Sequence, residues 1–321
     1  MGVVGWHASH ELYPPSELLR LAGRAEAAGF RAGMCSDHFH PWTVGQGQSG
    51  FAFAWLGAAL ASTRLTFGSV CCPYRRYHPA VVAQAAATLA ELFPGRYWIA
   101  LGTGQNLNEG ITGEPWPDKP GRQARLREAV DVIRRLWAGE EVTHRGRVRV
   151  ERATVFSRPA TPPLIYGAAI TEATAEWVGS WADGLITVGA EPDDLRKVVE
   201  AFRRGGGRGK PMLLQASVGY DPDEAEAWRA ARDRWPVAAL GQDELQDTAT
   251  PAELSARTAG VTPDDLKGKL RVSADLGRHI GWLRADFELG FEAVYLHFVG
   301  RDPDRFIDVF GERVLPAVGA G

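Results

Sequence analysis

The chain has 321 residues, of which 45% are hydrophobic and 23% charged, and carries a formal net charge of −3. That size and balance fit one large α/β domain or two modest ones, and so weak a negative charge offers no basic field for nucleic acid. Cys35, Cys71 and Cys72 have neither the number nor the spacing of a disulfide framework or a zinc site. A reducing, cytoplasmic setting is therefore expected, with no leader-like start and no apolar run near the roughly 20 residues that span a bilayer.

Taken in chain order, apolar and β-branched runs predict strands that alternate with amphipathic helices. A strand is expected at Val3–Ala8 and a helix at Pro15–Ala28, followed by strands at Ala32–Ser36 and Leu65–Cys71 and a helix at His78–Leu92. A strand at Tyr97–Leu101 precedes a helix at Gln123–Trp137, and Val142–Val155, with Arg145-Gly146-Arg147 inside it, reads as an appended hairpin. Strands at Leu164–Ala168 and Gly184–Val188 are each followed by a helix, at Glu172–Trp181 and Pro192–Arg204. Strands at Met212–Ser217 and Ala293–Phe298 flank a long polar stretch, 222–284, read as an insertion over one end of the fold. About eight strands alternating with helices point to a single (β/α)₈ TIM barrel over 1–321, with a doubly wound open sheet as the alternative topology.

Barrel chemistry gathers at the C-terminal ends of strands, so the residues there are the candidates. After the second strand stand Asp37, His38, His40 and Trp42; after the third, Cys72; after the fourth, Thr103, Gly104, Gln105 and Asn108. His38 titrates near neutrality and suits general acid or base work. Trp42 either stacks on a planar ring or walls a pocket, or else anchors its loop. Asp37, His38 and His40 have no second ligand cluster at metal spacing, so no metal site is expected. The helix starting near Thr171 offers free amides to a phosphate.

Four segments carry a resemblance: Ser36-Asp37-His38-Phe39-His40-Pro41-Trp42, Arg76-Tyr77-His78-Pro79-Ala80 with Ala83-Gln84-Ala85, Gly102-Thr103-Gly104-Gln105-Asn106-Leu107-Asn108-Glu109, and Leu126-Arg127-Glu128-Ala129-Val130. Together they resemble the bacterial-luciferase-like superfamily, within it the group around the F420-dependent glucose-6-phosphate dehydrogenases and a sister branch that uses another flavin. The resemblance implies a luciferase-like (β/α)₈ barrel, F420 or FMN at its mouth, hydride transfer to or from a small-molecule substrate, and a homodimer. It implies catalytic roles for His38 and Trp42. It places Asp37, Ser69, Val70, Cys72, Thr103, Gly104 and Asn108 against the cofactor ring, with a bulge and a cis peptide at Ser69-Val70, and sets Ala169, Ile170 and Thr171 at the cofactor phosphate.

Departures from that pattern narrow the activity. Gln105 stands where the sugar-phosphate dehydrogenases have a glutamate, and an amide exchanges no proton near neutral pH. Its expected role is a hydrogen bond to substrate or cofactor. Ala190 stands where a phosphate-gripping lysine is expected and the neighbourhood of Ala256 lacks a second, leaving Lys269 or Arg284 as later cations. A phosphate dianion wants several cations or amides, so glucose 6-phosphate is not the expected substrate. The expected reaction is hydride transfer with an alcohol, carbonyl or activated double bond; the alternatives are an FMN-dependent monooxygenase and a non-catalytic flavin-binding protein. The acidic tail of F420 needs an open basic groove, and Arg75, Arg76 and Arg145 either line one or are solvated charges.

Overall fold

In the computed structural model, which describes residues 2–319, eight parallel strands close on themselves. Around the barrel run β1 (Val3–Ala8), β2 (Ala32–Cys35), β3 (Thr66–Cys71), β4 (Tyr97–Leu101), β7 (Ile165–Ala168), β8 (Gly184–Val188), β9 (Met212–Gly219) and β11 (Ala293–Phe298). The ring closes because β8 pairs with β9 as well as β7, and β11 with β1 as well as β9. This closed pairing excludes the open doubly wound sheet. Three short strands lie outside it: β5 (Val142–Arg145) and β6 (Arg149–Ala153) pair antiparallel, and β10 (Arg271–Val272) extends the edge at β9.

Alternation along each strand sorts the core into two bodies. Val4, Trp6, Phe67, Ile99 and Leu214 face outward, into the layer between strands and helices. Ala32, Met34, Trp98, Ala100, Tyr166, Ile186, Leu213 and Tyr295 fill the lumen, where Trp98 packs 5.5 Å from Tyr166 and 5.6 Å from Tyr295 between ring centroids. Gly68 is required there, since a Cβ would stand 2.2 Å from the Trp98 ring. These three aromatic rings fill the lower lumen.

The helix Leu276–Glu288 precedes β11 and runs across the Arg284 boundary expected for the insertion, so the added segment between β9 and that helix is 220–275. Within it, helices Glu224–Arg234, Gln242–Asp247 and Pro251–Thr258 touch the strand-end loops. Gln246 donates to Gly104 O at 2.7 Å, Asn106 donates to Asp247 O at 3.0 Å, and the Val44 amide donates to Ser255 Oγ at 3.0 Å. No helix among the described residues is long and apolar enough to cross a membrane.

Candidate active site

The upper lumen has two unlike walls. On the side of β3, β4 and β7 stand Val70, Gly102 and Ala168; a Cβ on Gly102 would lie 3.5 Å from Ala168 Cβ and 3.7 Å from Val70 Cγ1. These small residues make a flat apolar bed. On the side of β1, β9 and β11 stand His7, Ser217 and His297, with the two imidazoles 4.6 Å apart and Ser217 Oγ 3.1 Å from His297 Nδ1. Burial holds both imidazoles below their ordinary range, His297 down to about 3, where the nearby Arg234 charge adds to the effect.

His38 and Trp42 come together above this lumen, their rings 4.8 Å apart. Trp42 is buried against Leu107, Val237 and Leu254, so the indole is held by the β4 loop and by the insertion at once. His38 Nδ1 has no hydrogen-bond partner and lies 3.5 Å from Oε1 of the buried Glu11. Ser9 and Ser36 donate to the other oxygen of Glu11, at 2.9 and 2.6 Å, which aims the carboxylate. Burial lowers His38 below the ordinary imidazole range while Glu11 pulls the other way, leaving a neutral base at neutral pH.

Asn108 ties the strand-end loops together. Its Oδ1 accepts from the amides of Phe39 at 2.9 Å and His40 at 3.3 Å, and its Nδ2 donates to Gln105 Oε1 at 3.1 Å. Both ends of its carboxamide are thus committed to the protein, whereas the bond to Gln105 leaves that residue's own NH₂ available. His40 turns away from His38, its Nδ1 2.8 Å from Leu107 O. Gly104, at φ +76°, lets the loop pass over Cys72 and Glu109: an added Cβ would meet Cys72 Sγ at 2.9 Å and Glu109 Cγ at 2.8 Å. Tyr74 donates to Thr103 O at 2.6 Å and fixes that loop from below.

Asp37 is buried and occupied by protein partners. Arg76 donates to its Oδ2 at 3.0 Å and Tyr77 to its Oδ1 at 2.9 Å, while the Arg76 backbone amide donates to Glu109 at 2.8 Å. Arg75 is also spent inside the protein, on the carbonyls of Pro115 and Glu114 and the Thr112 hydroxyl, and Arg145 pairs with Glu151 on the exposed hairpin. None of the three lines an open basic groove. Lys269 donates to Ala239 O and Arg284 to Ala317 O.

Other expected positions are placed differently. Ser69 shares the outward face of β3 with Phe67 and Cys71, and its ladder to β4 runs without a register shift. The bulge and cis peptide implied at Ser69-Val70 are absent, since every peptide bond among the described residues is trans and the regular pairing leaves no extra residue to bulge. The Ala169 amide is used by Ile186 O at 3.0 Å, Thr171 Oγ1 accepts from the Thr174 amide as a helix cap, and Ile170 is half exposed. His7, Glu11, Ser217 and His297 were not expected. Their signal was position alone: all lie at or just beyond the C-terminal ends of barrel strands.

A closed parallel barrel whose strand ends at the C-terminal mouth bring together a buried imidazole and an indole defines the class: a (β/α)₈ enzyme. Residues 3–293 match the family described as luciferase-like monooxygenase, and the chain belongs to that family. It is 37% identical to an F420-dependent glucose-6-phosphate dehydrogenase of Nakamurella multipartita, over 98% of this chain and 96% of the relative. It is also 37% identical to an F420-dependent hydroxymycolic acid dehydrogenase of Mycobacterium tuberculosis, over 98% of this chain and 87% of the relative. An F420-dependent secondary alcohol dehydrogenase, solved with an F420-acetone adduct, superposes with a TM-score of 0.90 at 33% identity, covering 99% of each chain. The chain is an oxidoreductase of the luciferase-like family.

Proposed function

We propose that this protein transfers a hydride between a flavin-type cofactor, F420 or FMN, and an alcohol or carbonyl substrate, with an activated double bond as the further possibility within the same chemistry. The observation that carries the reading is the His38–Glu11 pair set beside Trp42 at the strand ends, in a barrel whose β3, β4 and β7 ends carry the small residues Val70, Gly102 and Ala168. The small residues of the bed suit the face of a flat tricyclic ring, and Val70, Cys72, Thr103 and Gly104 would hold it there, with the amides near Thr171 toward its phosphate. When bound, the ring would supply the atom that accepts or returns a hydride.

In alcohol oxidation, His38 takes the hydroxyl proton as the C–H electron pair leaves as hydride; in carbonyl reduction it returns that proton to oxygen. Nδ1 faces Glu11, so the imidazolium, which is formed in oxidation and is the proton donor in reduction, has a carboxylate beside it. Trp42 walls the substrate against the imidazole, and the Gln105 NH₂ donates a hydrogen bond. The Gln105 amide carries no proton in the turnover. A sugar phosphate is not the substrate in this reading, because Ala190 supplies no cation where a phosphate-gripping lysine is expected. A small molecule is the partner, not nucleic acid, and the three buried free cysteines suit a reducing cytoplasm.

A homodimer belongs to this proposal. The outer faces of helices Ala52–Ser62 and Pro79–Leu92 carry no charge before Glu91 and expose Val81 and Leu92, with Phe51 alongside. That is an apolar surface of the kind a second copy would cover. Val81→Arg is expected to convert the dimer to monomer in sedimentation.

Titration of the apoprotein with FMN and with F420, followed by anaerobic turnover with secondary alcohols, tests the reading. His38→Ala should bind the cofactor unchanged and lose turnover by about 10²–10⁴-fold. Equal turnover in the variant would sink it. A second reading, FMN-dependent oxygenation, is favoured by Gln105, which offers no proton-exchanging carboxylate at the ring; cofactor-dependent oxygen uptake would move it ahead.

A further inference from the structure

Arg234 closes the helix Glu224–Arg234 at the rim of the mouth, and its guanidinium lies 4.9 Å over the ring of Tyr13. Its Nε and Nη2 are both buried without an acceptor, as is the hydroxyl of Tyr13. Among the described residues it is the only arginine with two such N–H-bearing atoms; Arg24, Arg76 and Arg122 each leave one, and each has an ion pair to a carboxylate. Buried donors of a charged group are expensive to leave unpaired. Arg234 therefore holds two buried donors for which the polypeptide provides no acceptor.

Which partner fits follows from the two atoms left open. Nε and Nη2 form the side-on edge of the guanidinium, the edge that meets both oxygens of a carboxylate in parallel hydrogen bonds. One positive charge and a neutral phenol suit a monoanion; a phosphate dianion would find no second cation here. The position is joined to the reaction centre through the backbone: Gln46 donates to Arg234 O at 3.0 Å and accepts from the amide of Trp42 at 2.8 Å. The next residue, Trp235, packs 4.2 Å from His297, whose Nε2 is likewise buried and unpaired.

We propose that Arg234 and Tyr13 form a subsite for a substrate carboxylate, so that the alcohol or carbonyl oxidised or reduced at His38 belongs to a carboxylic acid. This rests on the oxidoreductase reading for the substrate's reacting group, but the subsite itself does not.

The test uses the full chain without cofactor, titrated with hexanoate, hexanamide and inorganic phosphate and followed by calorimetry and tryptophan fluorescence. Hexanoate should bind at least tenfold more tightly than hexanamide or phosphate. Arg234→Met should abolish the preference, Arg234→Lys should keep part of it, and Tyr13→Phe should weaken hexanoate several-fold with hexanamide unaffected. Ligand-free Arg234→Met should melt close to the wild type, because the side chain it replaces loses its stacking on Tyr13 but no hydrogen bond. Equal hexanoate binding in wild type and Arg234→Met would overturn the subsite, as would phosphate binding as tightly as hexanoate. A ligand-free Arg234→Met that melts well below wild type would do the same, by making the guanidinium a structural group. The expected binding pattern without hydride transfer to hydroxy acids would support the subsite and count against the oxidoreductase reading.

Discussion

His38 Nδ1 faces Glu11 Oε1 at 3.5 Å, while the opposite oxygen of Glu11 is pinned by two serine hydroxyls. The carboxylate is thus oriented by residues of two strand ends toward a base on the second. Burial lowers His38 and Glu11 offsets part of that lowering. Glu11→Gln removes the charge that raises the imidazole, so its pKa moves further down. The acid limb of kcat/KM for alcohol oxidation, which needs neutral His38, should shift to lower pH with cofactor affinity unchanged. A pH-rate profile in which that limb stays put or moves up would refute the coupling.

Arg76 sits between two buried carboxylates, hydrogen-bonding to Asp37 Oδ2 at 3.0 Å and with its Nε 3.5 Å from Glu109 Oε1. Removing the shared cation leaves both negative charges in a desolvated site, a change that costs about 3–5 kcal/mol. Arg76→Met should show a loss of that order in urea unfolding. Adding Glu109→Gln should recover part of it, since one of the stranded charges is then gone. Strict additivity of the two substitutions would show that the three groups do not act as a unit.

Gly104 tests the tight loop over Cys72. A left-handed φ costs an ordinary L-residue about 1–2 kcal/mol, and here the new methyl also meets Glu109 Cγ and Cys72 Sγ inside 3.0 Å. Gly104→Ala should therefore lose more stability than the backbone preference alone and should weaken cofactor binding, because Thr103 and Gln105 move with the loop. Wild-type affinity in a well-folded Gly104→Ala would show that the loop's path does not set the ring site.

The barrel was legible because its strands are short apolar runs separated by amphipathic helices, and four of them, Val3–Ala8, Tyr97–Leu101, Gly184–Val188 and Ala293–Phe298, have the expected bounds. The helix Ala52–Ser62 left no such trace: with Ala54, Ala58 and Ala61 on its outer face, it has no polar side to give a helical period. At the site, His38, Trp42 and Gln105 could be read from motif and strand-end position. Glu11 and His297 could not, since their meaning depends on closure bringing the ends of β1, β2 and β11 around one lumen. Asp37 and Ser69 show the converse limit. A motif gives residue type at a position, but strand alternation turned Ser69 outward and a distant Arg76 claimed Asp37.

Five buried imidazoles give the fold a pH dependence of definite sign. His7, His10, His38, His279 and His297 all lie below the ordinary value of 6.5, chiefly through burial, with His279 at about 4 and His297 at about 3. As pH falls through about 6.5, the unfolded chain takes up protons that the folded chain refuses. Stability is then lost at up to about 1.4 kcal/mol per pH unit for each group until the folded group itself titrates. Glu109 and Asp286, raised by burial, oppose this by binding protons first in the folded chain, but two carboxyls are outnumbered by five imidazoles. Carboxylates lowered in the fold, such as Asp304, add to the loss only further into acid. Unfolding free energy from urea titrations should therefore fall steadily from pH 6.5 to 5. The slope should ease by about one proton in His279→Gln, whatever that variant's absolute stability. A flat profile over this range, or an unchanged slope in the variant, would mean that these imidazoles are protonated in the folded chain, and with them the neutral His38 on which the proposed proton transfer depends.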